Sequence, residues 1–101
     1  MGSYEDSAEI YKGLFRKHPD KLEYDLKLGE CLLGLNKFIE AKIHFDMILS
    51  KQPTNDEALI NRAIANLNSG MIKEACRDLK KLMEDKVKQE SVYSLLENHC
   101  R

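Results

Sequence analysis

At 101 residues the chain has room for one hydrophobic core and therefore one domain. Hydrophobic residues make up 43% and charged residues 33%, with two prolines, five glycines and no Trp, a balance that excludes a disordered chain and favours packed, solvated helices over strands. Lys+Arg 16 against Asp+Glu 17 gives a formal net charge of −1, so there is no overall field to draw in nucleic acid or an anionic membrane.

The predicted elements follow one another with regular punctuation. Met1-Gly2-Ser3 reads as an expression-tag scar, and 4–101 as a single helical repeat domain cut from a longer protein. A first helix is expected over 4–17, carrying Ser7, Tyr11 and Leu14 on its packing side. Glu5, Asp6 and Glu9 lie early in it and Arg16, Lys17 and His18 late, the order that complements a helix dipole. His18-Pro19-Asp20 ends it. The second helix, 21–35, spaces Leu22, Leu26, Leu28, Leu32 and Leu35 at helical intervals, and Gly34-Leu35-Asn36 turns the chain into a third helix at 37–51 with Phe38, Ala41, Phe45, Ile48 and Leu49. Gln52-Pro53-Thr54 then separates this pair from a fourth helix at 55–69, Asn68-Ser69-Gly70 forms the next tight turn, and helices at 71–85 and 89–100 complete the chain. Asp20 with Glu23 and Thr54 with Glu57 have capping-box spacing, which predicts helix starts at those points.

Shifting the sequence by 34 positions aligns Pro19 with Pro53, Tyr11 with Phe45 and Leu79, Ser7 with Ala41 and Ala75, Leu14 with Ile48 and Leu82, and Gly29 with Ala63. A fixed period of this length signals stacked supersecondary units, here helix pairs. The expected fold is all-α, an antiparallel helix-pair α-solenoid of about six helices. Gly29 and Ala63 on the first helix of each pair, and Ala41 and Ala75 on the second, would let neighbouring helices approach closely.

The run Asp25-Leu26-Lys27-Leu28-Gly29-Glu30-Cys31-Leu32, followed by Ala41, Phe45 and Pro53, resembles the tetratricopeptide repeat (TPR) in order and spacing, departing at Asp25, where the family has an aromatic. The next repeat keeps Leu59, Ala63, Ala75 and Leu79 in register but has Arg62, Asn66 and Val87 where the family prefers Leu, Tyr and Pro. Ser7, Tyr11, Leu14 and Pro19 look like the end of a preceding repeat, and Tyr93 and Leu96 like the start of a following one. The resemblance implies two full repeats flanked by halves. It also implies that the first helices of successive repeats line a concave groove that binds a protein or peptide. On 21–35 the groove set is then Glu23, Leu26, Lys27, Glu30 and Leu33; on 55–69 it is Glu57, Ile60, Asn61, Ile64 and Leu67; on 89–100 it is Ser94, Leu95 and Asn98. Leu26, Leu33, Ile60, Ile64, Leu67 and Leu95 would give an apolar floor suited to an amphipathic helix or extended peptide, unless they simply pack between repeats.

Family members that hold acidic chaperone tails use a clamp of Lys, Arg and Asn on these helices. Here Leu26 and Glu30 stand for the expected Lys and Asn, Asn61 matches, and Ser91 and Leu95 replace the basic pair. Glu23, Glu30 and Glu57 would repel such a tail, which disfavours that partner.

Nothing in the pattern groups a nucleophile with a base, so no enzyme activity, cofactor or metal is expected. His18, His44 and His99 are widely separated and read as solvated or capping residues, Cys31 and Cys76 as small packing residues, and Cys100 as exposed. Met47, Met71 and Met83 read as gap fillers, and Arg77, Lys80 and Lys81, interleaved with Glu84 and Asp85, as a solvated outer face. Three cysteines without metal or redox spacing suit a reducing compartment, and no stretch approaches the roughly 20 apolar residues that span a bilayer, so a soluble cytoplasmic or nuclear chain is expected. Two other functions fit the same residues. One is a self-association or scaffold module, dimerising through open repeat ends at Tyr11, Leu14 and Phe15 and at Tyr93, Leu95 and Leu96; the other is a targeting domain attached to an enzyme outside this segment.

Overall fold

The computed structural model describes residues 3–84 and 90–100. Asp85, Val87 and the expected helix boundaries at 85 and 89 lie outside the described residues, as do Met1 and Gly2. Six helices follow in order: α1 (Tyr4–Lys17), α2 (Leu22–Gly34), α3 (Phe38–Lys51), α4 (Asp56–Asn68), α5 (Ile72–Glu84) and α6 (Glu90–His99). Each packs on the next along the chain wherever the connection is short, and α6 packs on α5. The result is an all-α stack of antiparallel helix pairs.

The repeat seen in the sequence is repeated in backbone hydrogen bonds. After α2, the amide of Asn36 donates to the carbonyl of Leu33 and that of Lys37 to Leu32; after α4, Gly70 donates to Leu67 and Met71 to Asn66. Both are Schellman turns, which need a left-handed residue just past the helix end. Asn36, at φ 60°, and Gly70, at φ 81°, occupy that position 34 residues apart. The proline connections also match, with Gln52 donating to Ile48 as His18 does to Leu14.

The helix starts differ from the capping-box expectation. The N-cap of α4 is Asn55, not Thr54, and its side chain accepts from the amide of Ala58 at 2.9 Å. The N-cap of α2 is Lys21, not Asp20, and makes no side-chain cap bond. Glu23 and Glu57 stand three residues after Asp20 and Thr54, but both helices begin one residue later, where Tyr24 and Ala58 occupy that spacing. Ser3, set aside as a tag residue, caps α1 by accepting from the amide of Asp6 at 3.1 Å.

The core runs the length of the stack through Leu28, Leu32, Phe45, Ile48, Leu59, Leu79, Leu82 and Val92. The small residues act as expected. Ala41, Ala63 and Ala75 are fully buried, and a Cβ placed on Gly29 would lie 2.6 Å from the Phe45 ring. A side chain at Gly29 and an aromatic at Phe45 therefore cannot coexist without movement. Met83 packs against the core, whereas Met47 and Met71 are exposed and fill no gap. Among the described residues no helix is long and apolar enough to cross a membrane.

The helices sort into two rows. α2 and α4 touch one another. On the other side, Phe15 of α1 meets the ring of His44 of α3 edge-on at 5.7 Å, and Arg62 draws Asp46 of α3 and Asp78 of α5 to one guanidinium. α1, α3 and α5 thus stand side by side as the second row.

Candidate functional site

Helix α2 sends Asp25, Leu28, Gly29, Cys31 and Leu32 inward, and α4 sends Ala58, Leu59, Ala63, Ala65 and Asn66. At 100° per residue, the positions opposite these are the expected groove residues. Glu23, Leu26, Lys27, Glu30 and Leu33 correspond one for one with Glu57, Ile60, Asn61, Ile64 and Leu67 under the 34-residue shift, and the α2–α4 contact brings the two sets onto one face. Leu26, Leu33, Ile60 and Leu67 pack partly against the core yet keep an open edge, and Ile64 is likewise half-buried. Glu23, Lys27 and Glu57 are exposed at the rim, while Glu30 and Asn61 are half-buried. Lys27 and Glu30 form an exposed pair at 3.7 Å, of a kind that contributes little stability.

The third part of the predicted set lies on α6. Ser94 and Asn98 are exposed and Leu95 is half-buried against the core, and α6 packs on α5 as α4 packs on α3. Among the described residues no comparable α4–α6 packing joins Ser94, Leu95 and Asn98 to the α2–α4 face.

Three features were not expected from the sequence. His44 is not a solvated histidine: its Nδ1 lies 2.9 Å from Oδ1 of Asp25, whose carboxylate is fully buried and whose Oδ2 has no protein partner. Asp25, the position that departs from the family pattern, is therefore one half of a polar pair that bridges α2 and α3. Arg62 is the corresponding bridge in the second repeat. It donates through Nε and Nη2 to both oxygens of Asp78, at 2.7 and 2.8 Å, and through Nη1 to Asp46 at 2.9 Å. The Asp78 hydrogen bonds hold the guanidinium above its ordinary pKa against a burial that pulls the other way, and Asp46 adds to the rise. The signal was present, since His44 and Asp78 are equivalent positions 34 residues apart, but the sequence alone names no partner for either on the preceding helix.

The third feature is a disulfide between Cys76 of α5 and Cys100 just past α6. It corrects the reading of Cys76 as a packing residue and of Cys100 as exposed, and removes the ground on which three cysteines pointed to a reducing compartment. Cys31 is the one free thiol among the described cysteines, and burial, reinforced by Glu30 and opposed by Lys27, raises its pKa.

An open cleft of about 410 Å³ lies between α3 and α5, lined by Asp46, Leu49, Pro53, Arg62, Arg77 and Lys81. Asn66, 2% exposed and with no partner at Oδ1, lines an adjoining one. Among the described residues no cluster of three or more His, Cys, Asp or Glu side chains could hold a metal. No protein-family model and no curated protein matches the chain.

Proposed function

We propose that the chain is a non-catalytic, TPR-type interaction module that binds a peptide or an amphipathic helix on the α2–α4 face. The observation that carries this reading is the duplicated row of half-buried apolar side chains. Leu26, Leu33, Ile60, Ile64 and Leu67 keep part of their surface open to water although charged residues flank them on both helices. Partly exposed apolar side chains aligned on two touching helices suit a ligand that covers them, and the helical spacing of the row suits i, i+4 and i+7 anchors. The acidic rim at Glu23 and Glu57 favours a ligand with basic or neutral flanks and disfavours an acidic chaperone tail. Nucleic acid and membranes are not part of this reading.

The test is selection of peptides from a displayed random library on the folded chain, followed by affinity measurement with the Ile60→Glu/Ile64→Glu variant. Both side chains are half-buried at the helix surface, so circular dichroism should show the fold retained. Loss of roughly a hundredfold in affinity is expected from placing charge in the apolar floor. Peptides that bind wild type and variant alike would place recognition elsewhere.

A further inference from the structure

The row formed by α1, α3 and α5 carries a pattern that the groove does not explain. On α3 the side facing away from Ala41, Phe45 and Ile48 bears Ile39, Ile43 and Met47, exposed by 65%, 55% and 37%. Spaced by four, these three large apolar side chains form one continuous stripe on the solvent face of the helix. Scattered single exposed hydrophobics are ordinary, but an aligned stripe on the middle helix of a row is not.

The equivalent positions on the two flanking helices, one repeat away in either direction, are charged and of opposite sign. Ile39 corresponds to Glu5 on α1 and Lys73 on α5; Ile43 corresponds to Glu9 and Arg77. Met47 corresponds to Gly13 and Lys81, and Ser50, two turns beyond Ile43, corresponds to Arg16 and Glu84, where the signs are reversed on both flanks together. All six charged residues at the Ile39, Ile43 and Ser50 levels are exposed. The Glu9–Lys12 contact at 3.6 Å is a surface i,i+3 pair, with Glu9 77% exposed, and leaves that carboxylate accessible.

A face with an apolar centre and flanks of opposite charge at the Ile39, Ile43 and Ser50 levels is complementary to itself when turned about its own midline. We propose that two copies of the chain associate through this face. The two-fold axis runs along α3, so that Ile39, Ile43 and Met47 meet the same residues of the second copy. In this arrangement α1 of each copy lies against α5 of the other, setting Glu5 against Lys73, Glu9 against Arg77 and Arg16 against Glu84. Such an isologous contact uses each pair twice. The alternative two-fold, across the helices, would set α5 against itself and bring Arg77 towards Lys80 and Lys81 of the second copy, a repulsive arrangement. The charge pattern therefore selects the axis. The interface leaves the α2–α4 face open, so a dimer of this kind would present two grooves pointing outwards, and it differs from association through the repeat ends.

The experiment is sedimentation velocity on the full chain from micromolar to near-millimolar concentration. A reversible dimer is expected, weakened by added salt as screening reduces the flank pairing. Ile43→Glu, at a position already exposed, should shift the chain to monomer, and Ile60→Glu/Ile64→Glu should leave the dimer unchanged, which separates this interface from the groove. Glu9→Arg and Arg77→Glu should each raise the dimer dissociation constant roughly tenfold or more, and the two together should restore it, because each reversed residue meets the other reversed residue in the second copy. Ile39→Cys should form a 39–39 cross-link under mild oxidation, as only the axis along α3 brings these positions together. A chain that stays monomeric throughout, a dimer indifferent to Ile43→Glu, or the absence of charge-swap rescue would each overturn the proposal.

Discussion

The two helix pairs α2–α3 and α4–α5 share a period, a turn type and a buried alanine at Ala41 and Ala75, yet each solves the same packing problem with different chemistry. In the first pair Gly29 faces the Phe45 ring; in the second the same positions hold Ala63 and Leu79. Volume lost on one helix is regained on the other. In the first pair the polar bridge runs from an acid on α2, Asp25, to a base on α3, His44; in the second it runs from a base on α4, Arg62, to acids on α5 and α3. A repeat fold constrains the space between helices and the pairing of whatever polar group enters it, and leaves the sign of the charge and the division of volume open.

The largest effect should come from breaking the polar bridges unequally. His44→Ala strands the Asp25 carboxylate, fully buried and already lacking a partner at Oδ2, and should cost about 3–5 kcal/mol in urea unfolding. Arg62→Leu also removes a partner from a nearly buried acid, but Asp78 and Asp46 border the open cleft between α3 and α5, so water can take over part of the role. Its cost should be about 2 kcal/mol, smaller than that of His44→Ala. Equal losses would mean that the two bridges are interchangeable despite their different burial.

Gly29→Ala sharpens the same comparison through volume. The new Cβ meets the Phe45 ring at 2.6 Å, for an expected cost of about 1–3 kcal/mol. Adding Phe45→Leu recreates the pair found in the second repeat, so the double variant should be more stable than the sum of the single losses predicts. Strict additivity would show that the two positions do not share one space. Gly34 provides the control, because a Cβ there meets only the ring of Tyr4, an exposed side chain able to swing away.

The smallest effect concerns the caps. Asn55→Ala should cost about 1 kcal/mol by freeing the amide of Ala58, whereas Lys21→Asn, which installs the second repeat's cap in the first, should add stability by about half that amount. Thermal melts resolve both. A neutral Lys21→Asn would mean that the α2 start cannot adopt the capping geometry seen at Asn55.

Much of this architecture was legible in advance. Among the described residues the helices fall within a residue or two of where apolar spacing and the two prolines put them, because helix periodicity and chain-breaking residues act locally. The outward faces of α2 and α4 were legible for the same reason: once the core face of a helix is known, so is the opposite face. Whether Ser94, Leu95 and Asn98 continue that face depends on how α6 stands beside α4; α6 packs on the preceding helix α5 as α4 packs on α3. The caps were placed one residue early because Asp20 and Thr54 satisfy a spacing rule, whereas the helices start after Lys21, which makes no side-chain cap bond, and Asn55, which accepts from the amide of Ala58.

By itself the sequence determined the helix count, the 34-residue period, the tight turns at Asn36 and Gly70 and the small residues where helices cross, all of which depend on interactions within one repeat or on its repetition. Only the tertiary structure decided that Asp25 meets His44, that Arg62 gathers Asp46 and Asp78, that Cys76 reaches Cys100, and that Ile39, Ile43 and Met47 lie exposed on α3 between α1 and α5. Each joins residues 16 or more apart in the chain or depends on the row in which helices stand. Such pairings follow from how helices stack, which periodicity along a single chain does not specify.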